Sequence, residues 1–295
     1  MSATLFQRLA LITTVVTFGH LLFGNIVSGT DSGMGCGPHW PLCQGHLFPP
    51  LDDPALVIEW THRLFAALLG MLVLATTIVA WKRERHQFAL CATALGLVMV
   101  VALLGAVTVW LELPKEVSTT HLALGLGVFV LLVAVTVRAQ PALRSSSDDR
   151  RVFVWALMTL IVLYAQSVLG GYVRHSNAGL VLPVWPFLSF FPNLAVGVIA
   201  HQWSHRLLAL IVAAWVGVTA WHAGRAGYRF IGLSSVILVI AQILLGVLTV
   251  ETRLHPFVAM LHLAGALGLL AVFVVLTLRT WPQRVLASEG VAARD

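Results

Sequence analysis

Eight apolar runs, each close to the length that crosses a lipid bilayer, constrain this chain more than anything else in it. They lie at roughly 8–27, 57–80, 88–111, 118–138, 151–172, 200–221, 229–250 and 256–279. A helix needs about 20 predominantly apolar residues to span the hydrocarbon core, and only helices or closed barrels satisfy every backbone polar group there. Composition agrees: 59% of the 295 residues are hydrophobic and 10% charged, against about 25% charged in soluble domains. A soluble chain of this length could bury a large core, but it would still need a charged surface. The expected fold is all-α and integral to the membrane. The first run lacks a small-residue cleavage pattern and reads as a span rather than a signal peptide. No Arg/Ser-rich transit extension precedes it, which points to a prokaryotic plasma membrane.

The net charge of +6 is not a nucleic-acid footprint, because the basic residues sort by side. Arg8, Lys82, Arg83, Arg85, Arg138, Arg144, Arg150, Arg151, Arg225, Arg229, Arg279 and Arg284 fall on one side of the eight runs; little beyond Lys115, Arg174 and Arg253 falls on the other. The positive-inside rule then predicts both termini in the cytoplasm, with the long loops 28–56 and 173–199 facing outward.

The chain also repeats itself. Glu59-Trp60-Thr61-His62-Arg63-Leu64 matches Gln202-Trp203-Ser204-His205-Arg206-Leu207, residues 23–33 match 169–179, and the stretch from Gly105 to His121 matches that from Gly246 to His262. The offsets are 143, 146 and 141, drifting through loop length alone. Four spans return the chain to its starting side, so both copies insert in the same sense. The expected architecture is two tandem four-helix bundles with a pseudo-two-fold axis along the membrane normal: an N-terminal half (1–138), a charged, Ser-rich cytoplasmic linker (139–150) and a C-terminal half (151–295). Gly24, Gly96, Gly105, Gly170, Gly171 and Gly246 are placed to allow close helix approach.

Four histidines occupy repeated positions inside the runs: His62 and His121, then His205 and His262. An ionisable residue inside a membrane helix is costly and usually faces the protein interior. Counting from the run starts puts each roughly 5–10 Å below the outer surface at 1.5 Å per residue. Two imidazoles at one depth on two helices of one bundle suit bis-histidine ligation of a haem iron. Hydrogen-bonded structural histidines are the plain alternative. Zinc is another, weakened by the lack of Cys or carboxylate partners in the second half. His20 is also intramembrane but finds no counterpart in the fifth run. His86 and His222 read as solvated loop residues, as do His39, His46, His175, His201 and His255 near the outer surface. Arg63 and Arg206 follow the first histidine of each half; they suit haem propionates or, equally, lipid phosphates reached by snorkelling.

The halves differ in two places. Glu59 shares a helix face with His62, three residues on, and its counterpart is Gln202. A carboxylate at that depth is expensive unless used or paired, and an amide less so. This suggests a reactive first half and an electron-carrying second, although a structural Glu bonded to a helix end or to Trp40 would look the same. Cys36 and Cys43 sit in the first outer loop. An oxidising compartment favours a disulfide, and a catalytic thiol pair is the rival. Cys91 reads as packing.

The E-x-x-H of Glu59 and His62, the three further span histidines, the cysteine pair in "CGPHWPLC" and the duplicated plan together resemble the haem A synthase family, over essentially the whole chain. The resemblance implies oxidation of the C8 methyl of haem O to a formyl group, by successive hydroxylation, to make haem A for terminal oxidases. It implies substrate haem O at His62 and His121 with Arg63 beside it, cofactor haem b ligated by His205 and His262 with Arg206 as a propionate partner, Glu59 as the catalytic carboxylate, and Cys36 and Cys43 as the family's loop cysteines. Expected partners are haem O, the lipid bilayer, haem O synthase and terminal-oxidase assembly factors; nucleic acid is not among them, and a homo-oligomer stays open. The chain departs from some members in lacking a second cysteine pair, where Leu182 and its neighbours stand. The rival readings are a di-haem b-type electron-transfer protein and a haem transporter or chaperone.

Overall fold

A computed structural model describes residues 3–140, 149–181 and 196–282. It contains eight long helices: α1 (Leu5–Gly29), α2 (Pro54–Arg83), α3 (Arg85–Trp110), α4 (Lys115–Ala139), α5 (Arg150–His175), α6 (Val196–Arg225), α7 (Arg229–Glu251) and α8 (Pro256–Arg279). All eight are long and apolar enough to cross a membrane, and their outer faces carry exposed Leu, Ile, Val and Phe, such as Leu103, Phe230, Leu233 and Leu244. The protein is a multi-pass membrane protein. Arg144, most of the 139–150 linker, Leu182 and Arg284 lie outside the described residues.

Local chemistry sets several boundaries. Thr4 and Gln7 close a capping box on α1, and Asp53 caps α2 ahead of Pro54. Asp149 caps α5. The α3–α4 and α7–α8 turns each put two successive side-chain-bearing residues in the left-handed region: Glu112 and Leu113 (φ 59° and 62°), and Arg253 and Leu254 (φ 52° and 63°). That conformation is uncommon without glycine. It is held here by Leu113 N–H to the Thr108 carbonyl and Leu254 N–H to that of Thr249, both 2.8 Å.

Helices α1 to α4 close on themselves in a ring, each packing on the next and α1 on α4; α5 to α8 do the same. The rings meet through α1 against α8, α4 against α5, and α4 against α8. Exchanging α1–α4 for α5–α8 leaves this set of neighbours unchanged. The helices most buried at the join are α4 and α8, where Leu126, Phe129 and Val133 share a core with Leu267, Leu270 and Phe273. Side-chain details recur as well. Thr13 bonds Thr76 at 3.0 Å between α1 and α2, and Thr159 bonds Thr219 at 2.8 Å between α5 and α6. Such interhelical bonds hold membrane helices together where lipid supplies no hydrophobic drive between them.

One helix pair is packed down to the backbone. A Cβ on Gly232 of α7 would lie 2.8 Å from the carbonyl oxygen of Ala220 on α6, whereas one on Gly217 would meet nothing within 4 Å. Gly232→Ala should therefore cost about 1–3 kcal/mol through overpacking and lower the unfolding temperature in detergent. Gly217→Ala should leave it unchanged or slightly raised; equal behaviour of the two variants would contradict this close approach.

Candidate functional site

Helices α2, α4 and α6 begin earlier than their apolar runs, so His62, His121 and His205 lie further from their helix starts than from their run starts; α8 begins with its run. His62 is eight residues past Pro54 and His205 nine past Val196, so about 12–14 Å along their axes. His121 and His262 are each six residues past their helix starts, about 9 Å. His62 and His121 lie close enough to interact electrostatically, as do His205 and His262.

Each ring packs on a glycine of the preceding helix. A Cβ on Gly24, Gly105 or Gly246 would come 3.2 Å from Cε1 of His62, His121 or His262, and one on Gly170 would come 2.8 Å from that of His205. Four of the six glycines singled out by sequence thus make room for an imidazole. Gly171 instead meets the Leu122 side chain, and Gly96 faces open space. The surroundings repeat too. The Val101 carbonyl lies near the His121 ring and the Gln242 carbonyl near that of His262, without closing a hydrogen bond to Nδ1; the two positions are related by the same offset of 141.

The chemistry of this donor set fits an iron porphyrin. Nδ1 of His62, His121 and His262 is buried with no hydrogen-bond partner, a costly state for a purely structural imidazole, while each residue keeps partial exposure. Among the described residues no three His, Cys, Asp or Glu side chains converge to hold a metal ion. Two imidazoles alone do not satisfy zinc, but they complete an iron whose other four ligands come from a macrocycle.

Glu59 is 3% exposed and fully engaged. One oxygen accepts from the Cys36 backbone N–H at 2.7 Å, and the other pairs with Arg63 at 2.5 Å. It bonds neither a helix end nor Trp40. Arg63 in turn donates to the carbonyls of His39 and Leu42 at 2.5 and 2.6 Å, and Trp60 donates to that of Leu47. Three side chains of α2 therefore hold the α1–α2 loop down. Cys36 and Cys43 form a disulfide inside it, both buried against Leu56. Gly35 is pressed so close to α2 that a Cβ there would sit 2.5 Å from the Ala55 backbone. In the second half Gln202, also 3% exposed, donates to the Gly179 carbonyl at 2.8 Å. The position keeps its task of tying loop to helix, with the sense of the hydrogen bond reversed. Cys91 is buried between helices, as expected of packing.

Sequence reasoning missed several partners. Carrying the offset of 146 along α1 makes Gln166, not a histidine, the counterpart of His20, and the two lie on His205 and His62 respectively. His175 is not simply solvated: it bonds the Thr119 hydroxyl at 3.0 Å across the two halves. His201 sits edge-on to Tyr172, and His222 stacks on Trp155. Apolar runs and motif strings carry no signal for such contacts; the repeat offset carries one for Gln166.

A family model for cytochrome oxidase assembly proteins, COX15-CtaA, matches residues 52–274. The chain is similar to proteins named haem A synthase from Geobacillus thermodenitrificans (31% identical, covering 96% of this chain and 94% of the relative), Geobacillus kaustophilus (32%, 95% and 94%) and Bacillus pumilus (31%, 92% and 95%).

Removing the Glu59 carboxylate should free the α1–α2 loop. Glu59→Ala strands the Cys36 N–H and the Arg63 guanidinium, a loss of about 1–3 kcal/mol. Hydrogen exchange across residues 32–47 should then speed by about tenfold or more, and unchanged exchange would remove Glu59 from the loop's support.

Proposed function

The chain belongs to the COX15-CtaA family of cytochrome oxidase assembly proteins, and on that premise we propose that it is a haem A synthase, an oxidoreductase that converts the C8 methyl of haem O to a formyl group. The observation that carries this reading is the pair of glycine-backed histidine pairs with a carboxylate beside only one of them. In this reading haem O is the substrate at His62 and His121, and haem b is the resident cofactor at His205 and His262. When bound, haem b supplies one-electron redox chemistry.

The residues of the first half have separable tasks. His62 and His121 fix the plane of the substrate, which settles which methyl faces the protein. Arg63 is the cation nearest the first histidine and suits a propionate; drawn to that anion, it leaves the Glu59 carboxylate with an uncompensated charge. That charge accepts the proton released as the methyl is hydroxylated and stabilises positive charge developing on the carbon next to the ring. Each hydroxylation replaces a C–H bond by C–OH, with the oxygen atom and a two-electron oxidant supplied from outside this chain; the second gives a hydrated aldehyde, which loses water to the formyl product. Gln202 has no charge to offer, which suits a site that carries electrons. Arg206 follows His205 as Arg63 follows His62 and is assigned the cofactor propionate. The bias of basic residues toward one helix end supports a plasma-membrane protein with both termini in the cytoplasm and both histidine pairs toward the outer face. Haem O synthase and terminal-oxidase assembly factors are the partners that would deliver the substrate and take the product.

The purified protein should show a b-type reduced-minus-oxidised spectrum that is lost in His205→Ala or His262→Ala. Incubated with haem O, it should yield hydroxymethyl and formyl haems by chromatography. Glu59→Gln should keep haem binding while slowing conversion by about 100-fold; conversion at the normal rate would sink the catalytic role of Glu59. Loss of all haem only on mutation of His62 or His121 would reverse the assignment of the two sites.

A further inference from the structure

His20 and Gln166 occupy one position of the repeat and treat the neighbouring histidine differently. The Gln166 amide nitrogen donates twice to His205, to ring Nδ1 at 3.0 Å and to its carbonyl oxygen at 2.9 Å. His20 stacks flat on His62, with ring centroids 4.3 Å apart and planes 7° apart. Stacked rings direct their N–H bonds sideways, so neither can serve the other, and Nδ1 of both is buried without a partner. A stack resists tilting of the ring but allows it to turn in its own plane. Two hydrogen bonds from one amide fix ring and backbone together.

We propose that this position sets how firmly each half holds an iron porphyrin. Gln166 is a positioning residue that makes the second pair a retained site, and His20 keeps the first pair exchangeable, as a substrate site must be. The proposal rests on the two-haem reading above. Metal-bound histidines nearly always hydrogen-bond through their second ring nitrogen, and loss of that partner typically weakens binding by about 10–100-fold. Glutamine can serve either ring tautomer. As placed, it donates to Nδ1. Turned over, it offers Oε1, now buried without a partner, to an Nδ1–H, while giving up the bond to the His205 carbonyl. His20, lying parallel to His62, can do neither.

Exchanging the two residues tests this, read as haem release. A His121→Ala background leaves only the second pair intact and a His262→Ala background only the first. Full-length proteins in detergent, loaded with ferric protohaem, are mixed with apomyoglobin and release is followed at the Soret band. Gln166→His in the first background should speed release by about tenfold or more, and His20→Gln in the second should slow it by a similar factor. The low-spin electron paramagnetic resonance signal should shift in each. Gln166→Ala, which adds no bulk, should also speed release and serves if Gln166→His does not fold. A gain in retention from His20→Gln is the result that a merely structural role would not produce. Release rates unchanged by either exchange would overturn the proposal. Failure of both backgrounds to bind protohaem would instead overturn the two-site reading, and the proposal with it.

Discussion

An imidazole inside a bilayer has to be either satisfied or used, and that constraint organises this molecule. Four histidines are carried at depth in α2, α4, α6 and α8, and each is accommodated by removing a side chain from the helix before it. Glycine is weak in helix propensity, but within a membrane it allows close approach, and here it receives a flat ring. Packing fixes where each ring sits. It leaves Nδ1 of His62, His121 and His262 buried without a hydrogen-bond partner, a cost that packing alone does not offset.

Much of this was legible in the sequence because its signals are long-range in a regular way. Apolar length gave the eight spans, and the repeat offsets placed His62 beside His205 in role and His121 beside His262. The same offsets fall on details no motif contains: left-handed Asp31 and Asn177, both at φ 53°, and the Thr13–Thr76 and Thr159–Thr219 bonds. What escaped was set by contacts between elements. The start of α2 fell earlier than its apolar run because Asp53 caps the helix ahead of Pro54. Arg63 reads from sequence as a partner for a propionate or a lipid phosphate, and spacing gives no sign that its guanidinium also holds Glu59 and two loop carbonyls. Nothing in the spacing of Arg63 reports where a loop of 24 residues (30–53) will fold back. Gln166 escaped for a different reason: a search for histidines cannot return a glutamine.

The two halves therefore share a scaffold and differ where the shared scaffold permits. Glu59 and Gln202 both bind loop backbone from one turn before the first histidine, one as acceptor from Cys36 and the other as donor to Gly179. His20 and Gln166 both pack on that histidine, one by stacking and the other by hydrogen bonds. At each position the structural task survives the change of residue, and the electrostatic character does not.

This pattern sets the terms on which these two exchanges can occur. Such a duplicated site cannot lose a histidine without leaving a void, nor a glycine without a clash with the ring that packs on it. It can exchange a carboxylate for an amide, or an imidazole for an amide, only where each residue finds a partner in its own half. Arg63 provides that partner for Glu59, and the His205 ring and carbonyl provide it for Gln166. Both exchanges lie near the first histidine of each half, one turn before it in α2 and α6 and on its ring from α1 and α5, where a change of partner leaves the packing of the bundle intact.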